Sequence, residues 1–263
     1  MVKQAQPSCT SVAPALEALL KSVFDYAGLF PPAGLPMQQV ADNFSQYRSG
    51  SFSWMLRRLV VREADLDKVA SELDPHLAVL SEQDCKRGSA IESARPFVAG
   101  KPVYCEVPTG QLEQLELVQQ TGCFAKIRTG GLKPEAIPSC GDVAMFILAC
   151  ADRKLPFKAT AGLHHPIRAS HPLTYEAGAP QAVMHGFLNV LLAAAFAWHG
   201  ERNIEGILAE TDSMAFDFTA QARWRDKSLS CDQVSEARLH FIHSIGSCSF
   251  DEPVNELQGL GLL

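Results

Sequence analysis

The chain has no excess of positive charge and no C-x-x-C pair, and its apolar run at 186–198 is too short to cross a bilayer. Each lack removes a class of protein. Lys and Arg total 23 against 29 Asp and Glu, a formal net charge of -6, which leaves no basic footprint for general nucleic-acid binding. Eight cysteines fall at positions 9, 85, 105, 123, 140, 150, 231 and 248. None is spaced as a paired-cysteine metal module or a thioredoxin-type redox motif. Several sit inside apolar patterns, so the thiols read as reduced and buried in a cytoplasmic protein, with Cys105 and Cys248 on faces turned toward helices. Residues 186–198 are apolar but fall short of the roughly 20 that a spanning helix needs. The start of the chain has one early lysine and no continuous apolar run, so no signal peptide is expected.

The usual chemical signatures are missing too. There is no H-x-H and no H-E-x-x-H, and the glycines have the wrong spacing for a dinucleotide fingerprint. Ser247 and Ser249 lack a His/Asp pattern that would make a serine hydrolase.

What is present is a rhythm. Hydrophobic content of 47% and charged content of 20% over 263 residues fit one large α/β domain spanning 1–263. Residues 1–12 are polar and read as frayed. Strand patterns occur at 23–30, 53–61, 76–81, 102–108, 124–129, 157–161, 214–222 and 247–251, mostly separated by helical patterns. Helices are expected at 37–47, 64–73, 110–121, 140–153, 181–198 and 231–245. The stretch 82–100 has no clear period, and a degenerate helix or a poorly formed strand there would change the element count by one. Eight strands alternating with helices predict a (β/α)8 barrel, with an open doubly wound parallel sheet as the alternative. The barrel is favoured because the strands are not apolar on both faces, as they are in an open parallel sheet.

Successive strand residues point to opposite faces. On 102–108, Val103, Cys105 and Val107 oppose Tyr104 and Glu106. On 124–129, Ala125 and Ile127 oppose Lys126 and Arg128. On 157–161, Phe157, Ala159 and Ala161 oppose Lys158 and Thr160. Three consecutive strands thus carry one apolar and one charged face, and in a barrel the chemistry gathers at their C-terminal ends. A lysine beside a second cation is the recipe for an amine nucleophile that forms a Schiff base with a carbonyl. Lys126 and Lys158 supply such a pair, with Glu106 to move protons. A purely structural ion-pair network is the other reading of the same residues.

Three further groups extend the candidate site. Arg128, Thr129, Gly130 and Gly131 form a turn of the kind that makes anion nests, and Ser247 and Ser249 flank a similar turn after Gly246. Asp25 is an acid inside an apolar run, with a cap or turn role as its other reading. His164 and His185, with Glu106, are the alternative ligand set for a divalent metal ion. Without that ion, no cofactor is expected.

The segments AKIRTGG around Lys126 and FKATAGL around Lys158 resemble the two lysine strands of deoxyribose-phosphate aldolases and related class I aldolases. The resemblance covers about 40 residues. It implies that Lys126 carries the Schiff base and that Lys158 is its cationic neighbour, although Arg128 stands where that family has a small residue. The small residues after Lys158 leave more room around it, so the residues alone leave the choice of nucleophile open. The stretches DYAGLFPPA, KIRTGG, FKATAGLHHP, MHGFLNV and GSCSFDEP resemble a family of bacterial proteins without an assigned activity.

The sequence therefore leads to three readings. The first is a lyase of the aldolase class acting on a small, anionic carbonyl compound through a lysine amine. The second is a metal-dependent isomerase or hydrolase on the same barrel. The third is a barrel that binds a metabolite without turnover. In each the expected partner is a small molecule, with no nucleic acid or membrane, and assembly into a homo-oligomer is left open.

Overall fold

The computed structural model describes residues 12–263. The expectation of a frayed N-terminus falls almost wholly on residues outside that range. Eight parallel strands close into a barrel: β1 (Phe24–Tyr26), β2 (Leu56–Arg62), β3 (Leu77–Leu80), β4 (Ala90–Ser93), β5 (Val103–Glu106), β6 (Phe124–Arg128), β7 (Phe157–Thr160) and β8 (Ile242–Ser247). Neighbours in sequence are neighbours in the barrel, and β8 returns to pair with β1. The (β/α)8 architecture stands, and the open sheet is excluded by that closure.

The helices are α1 (Pro14–Leu20), α2 (Met37–Ser49), α3 (Gln114–Gln120), α4 (Cys140–Asp152), α5 (Phe187–Trp198), α6 (Glu205–Ala209), α7 (Cys231–His240) and α8 (Asp251–Gly259). Two of them start at capping boxes. Ser139 and Asp142 open α4, and Ser230 and Gln233 open α7, each pair exchanging side-chain and backbone hydrogen bonds. Every residue of α5 except its last is buried, as expected for a helix that is apolar all round. The apolar stripe of α4 (Val143, Phe146, Ile147 and Cys150) is likewise buried inside the protein.

The alternation read from the sequence sorts the strands cleanly. Outward residues such as Leu59, Val79, Ile91, Val103, Ile127 and Ala159 join the main core under the helices. Inward residues Val60, Ala78, Ala90 and Tyr104 form a second, smaller apolar set inside the barrel. The rings of Tyr104, Phe124 and His243 meet there at 5.0–5.9 Å between centroids. This aromatic layer is the floor beneath the charged residues.

Two of the expected barrel strands are replaced by others. Residues 214–222 do not enter the barrel. They contribute to a three-stranded antiparallel sheet (Phe216–Asp217, Ala222–Trp224, Lys227–Leu229) in which Phe216 and Phe218 stack at 6.3 Å. The final barrel strand is 242–247, not 247–251. The helix expected over 231–245 stops at His240. A register irregularity between Ile242 and Ile245 lets residues three apart both sink into the core, which imitates helical spacing. The missing eighth strand is β4, inside the stretch 82–100.

Elsewhere the differences are local. Residues 64–73 form 3-10 turns rather than an α-helix. The helix expected over 181–198 begins only at Phe187, because 181–184 pairs antiparallel with 169–172 as a hairpin. Gly186 makes that change of direction. A Cβ there would lie 2.2 Å from Asn189 Oδ1 and 2.5 Å from the Pro166 carbonyl oxygen.

Candidate functional site

Cross-strand register brings the charged residues to one level. Glu106 is opposite Lys126, and Lys126 is opposite Lys158. Lys158 Nζ donates to Asp25 Oδ2 at 2.6 Å and to Glu92 Oε1 at 2.5 Å. Lys126 Nζ lies 3.2 Å from Glu92 Oε2 and 3.3 Å from Glu106 Oε2. Glu92 thus joins the two lysines. Ser244 Oγ also donates to Asp25 Oδ2 at 2.6 Å. The chain Ser244–Asp25–Lys158–Glu92–Lys126–Glu106 crosses the barrel interior.

Burial sets the roles apart. The side chains of Asp25 and Lys158 are each 1% exposed, and that of Glu92 4%. Burial alone would push the Lys158 ammonium toward its neutral form, but Asp25 and Glu92 outweigh it, and its pKa is raised above the ordinary lysine value. Burial pushes the Asp25 carboxyl up, yet Lys158, then Arg57 and Arg58, hold it below the usual range. Glu92 follows the same pattern: burial raises it, and Lys158 and Lys126 bring it below its ordinary value. The centre of the barrel is therefore a compensated ionic network with Lys158 fixed as an ammonium.

Above this network opens a cavity of about 370 Å³. Lys126, Glu92 and Glu106 form its charged base, and Lys158 and Asp25 are not on its surface. Thr160, Arg128, Gly131 and His164 line it higher up. Arg128 makes no hydrogen bond or ion pair among the described residues, so its guanidinium is free for a ligand. The remaining wall is apolar, with Phe30, Pro31, Val60, Leu80, Leu173 and Met184. The last two come from the loop after β7 and its hairpin.

The turns at the mouth are held by close backbone contacts. Ala161 and Gly162, directly after β7, have φ of 63° and 75°, the left-handed region that costs an alanine roughly 1 kcal/mol. Thr129 Oγ1 donates to the Ala161 carbonyl at 2.7 Å. A Cβ on Gly130 would lie 2.9 Å from Gly162 Cα, so the turns after β6 and β7 touch only because both residues are glycine.

No protein-family model matches this chain, and no curated protein or solved structure matches it at a significant level.

The residues singled out from sequence divide into three groups. Lys126, Glu106, Arg128, Gly131, Thr160 and His164 meet around the cavity. Asp25 and Lys158 lie beneath it in the ionic network. The others lie elsewhere, each for a visible reason. The Thr129 hydroxyl is turned to Ala161, and Gly130 is packed on Gly162. Ser247 Oγ lies 3.0 Å from His164 Nδ1, and Ser249 Oγ accepts from the Glu252 backbone N–H at 3.1 Å. The serines thus order the turn into α8 rather than line the cavity. His185 is fully buried, with Nε2 2.8 Å from the Pro138 carbonyl oxygen and Nδ1 3.5 Å from Arg168.

The ligand set Glu106, His164 and His185 is therefore not assembled, because His185 is away from the cavity. Burial, with His165 adding to it, lowers the His164 pKa to about 4, leaving a neutral ring. Among the described residues, one group has metal-ligand spacing: His165, Glu252 and Glu256 offer atoms within 4.8 Å of one another. They do not line the cavity, and His165 Nδ1 is already paired with Glu256 Oε1 at 2.6 Å.

Sequence reasoning missed Glu92, the residue that links the two lysines. It also placed Cys248 in the outer core, whereas its side chain lies on the cavity wall near His164, at 3.8 Å from Nδ1. The only signal for Glu92 was an acid between apolar Ile91 and small Ser93.

Proposed function

We propose that the protein is an enzyme acting on a small carbonyl compound through the amine of Lys126, with aldolase-type carbon–carbon bond cleavage or formation as the reaction. The observation that carries this reading is the division of labour between the lysines. Lys126 faces the cavity between two carboxylates, while Lys158 beneath it is committed as an ammonium to Asp25 and Glu92. Lys126 is accordingly the nucleophile and Lys158 its fixed cationic neighbour.

The steps use groups within reach. Glu106, partly open to solvent, takes a proton from Lys126. The freed amine attacks the carbonyl carbon, and the carbonyl oxygen leaves as water after receiving protons, giving an iminium. The iminium accepts the electron pair of the carbon–carbon bond that breaks. The departing hydroxyl-bearing carbon becomes an aldehyde as the proton of its hydroxyl passes to a carboxylate. The enamine regains a proton at carbon, and water addition releases the second product and restores Lys126. Arg128, at the rim and without a partner among the described residues, holds an anionic group of the substrate.

Borohydride trapping tests the reading. The folded protein is incubated with small aldehydes, keto acids and phosphorylated sugars, reduced, digested and examined by mass spectrometry. An adduct on the Lys126 peptide, lost in Lys126→Arg, is the expected result. An adduct on Lys158 instead, or none with any carbonyl, would overturn it. Saturable binding of a carbonyl without an adduct would make the protein a binding barrel.

A further inference from the structure

We infer that the substrate's body, beyond its reactive carbon and anionic end, is apolar rather than polyhydroxylated. This rests on the amine reading for the position of the carbonyl and goes beyond it in naming the substrate class.

The argument comes from how polarity is distributed along the cavity. All its carboxylate and ammonium groups lie at the base, where Glu92 and Glu106 are each already paired with Lys126. Between that base and the mouth most of the wall is hydrocarbon. Val60 and Leu80 rise from β2 and β3, Phe30 and Pro31 cover them from the turn after β1, and Leu173 and Met184 close the opposite side. Val60, Leu173 and Met184 are each no more than 5% exposed. Proline has no backbone N–H to offer. The polar side chains at this level are few. His164 is engaged with Ser247. Thr160 Oγ1, against which Gly246 packs, makes no hydrogen bond among the described residues and can serve one ligand hydroxyl, and Cys248 Sγ lies 3.8 Å from His164 Nδ1. Arg128 matches one anionic group.

A sugar chain entering this space would bring a hydroxyl on nearly every carbon, and most would face Val60, Leu80, Phe30 and Leu173 with no partner. An unpaired buried hydroxyl weakens binding by roughly tenfold or more. Each methylene in the same place strengthens it about fourfold. A volume of about 370 Å³, at roughly 30 Å³ per water displaced, admits on the order of a dozen non-hydrogen atoms. The fitting class is a short carbonyl compound with an aliphatic or aromatic body, the single hydroxyl that the cleavage step requires, and one acidic terminus.

The test compares matched pairs on the full chain. Lys126 labelling after borohydride reduction is followed against concentration for ethanal, propanal, butanal and pentanal. Glyceraldehyde and erythrose serve as the hydroxylated counterparts, with concentrations corrected to the free carbonyl form. The half-saturating concentration is expected to fall about fourfold per added methylene and to be at least tenfold higher for each hydroxylated counterpart. Met184→Gln, with its melting curve checked, should narrow that gap. A flat series, or equal labelling by the hydroxylated compounds, would overturn the inference while leaving the amine reading intact. Absence of any adduct would instead sink the amine reading. The inference is then decided by NMR titration with the unreactive pair butanoate and 3,4-dihydroxybutanoate. Tighter binding of butanoate supports it, and equal or weaker binding overturns it.

Discussion

Glu92 holds Lys158 at 2.5 Å through one carboxylate oxygen, and both side chains are almost completely removed from solvent. Two charges at that depth persist because each is the other's compensation, and Asp25 and Lys126 complete the balance. Removing one member leaves a buried charge unpaired. Lys158→Met is therefore expected to cost about 3–5 kcal/mol of stability, read as a lower urea midpoint. Pairing it with Asp25→Asn and Glu92→Gln in the same chain should restore a substantial part, because no carboxylate is then left uncompensated. A Lys158→Met protein as stable as the wild type would show that the network is not closed as described.

The same network fixes the pH range of stability. Asp25 and Glu92 have folded pKa values below their ordinary ones, so their contribution is complete above about pH 4. It is lost as pH falls through the folded values. Lys158 is shifted the other way. Its contribution is complete below about pH 10 and disappears as pH rises through its raised value. Urea midpoints measured from pH 2 to 11 should show a plateau with an acid limb below about pH 4. In the triple variant Lys158→Met/Asp25→Asn/Glu92→Gln, which leaves no unpaired ammonium at the Lys158 position, that limb should be shallower. An unchanged limb would assign acid lability to other carboxylates.

Glu106 differs from Glu92 in being partly exposed and in touching only Lys126. Glu106→Gln should leave the unfolding free energy from urea titration within about 1 kcal/mol of wild type, in line with a partly exposed ion pair. It should slow Lys126 adduct formation by roughly 10²- to 10⁴-fold, the range for loss of a positioned acid–base group. A normal rate of adduct formation would remove Glu106 from the proton path.

Much of this site is legible in the sequence. Lys126, Lys158 and Glu106 stand on strands with clean two-residue alternation, so their common face followed from spacing alone. Glu92 was hidden because β4 is only Ala90–Ser93, with Ala90 inward and one large apolar residue outward. Such a strand has no period to detect. The closing strand was hidden for the opposite reason: the irregularity in β8 spaces Ile242 and Ile245 as a helix would. Turn residues were the least legible. Which of Arg128, Thr129, Gly130 and Gly131 meets the cavity depends on the contact between Gly130 and Gly162, and no local pattern encodes that long-range approach.

That contact is itself testable. Gly130→Ala places a methyl group 2.9 Å from Gly162 Cα, against backbone that has no side chain to move aside. The turns after β6 and β7 must part, at about 1–3 kcal/mol, and both carry cavity residues. A lower melting temperature together with weaker carbonyl labelling at Lys126 is expected. Gly122→Ala is the control. It lies at positive φ, with nothing within 4 Å of a Cβ, so it should lower stability through backbone strain while leaving the labelling intact. Equal loss of labelling in both would detach the turn contact from the site.

Arg128 separates recognition from chemistry. Its guanidinium lines the cavity mouth, and it stands on β6 two residues after Lys126, on the same face. A ligand held by both would place its acidic group two strand residues, roughly 6.6 Å, above the carbonyl. A charge-assisted hydrogen bond of this kind contributes about 1.5–3 kcal/mol, which corresponds to roughly 10- to 150-fold in affinity. Arg128→Ala should raise the half-saturating concentration of an acidic carbonyl compound, such as a keto acid, by that factor. The value for a neutral aldehyde of the same length should stay within about twofold, because no bond to it is lost. The contrast between the two ligands is the informative quantity, since a merely loosened fold would weaken both. If the keto acid is unaffected, the anionic end of the substrate is bound elsewhere, and Arg128 is a surface residue that happens to border the cavity.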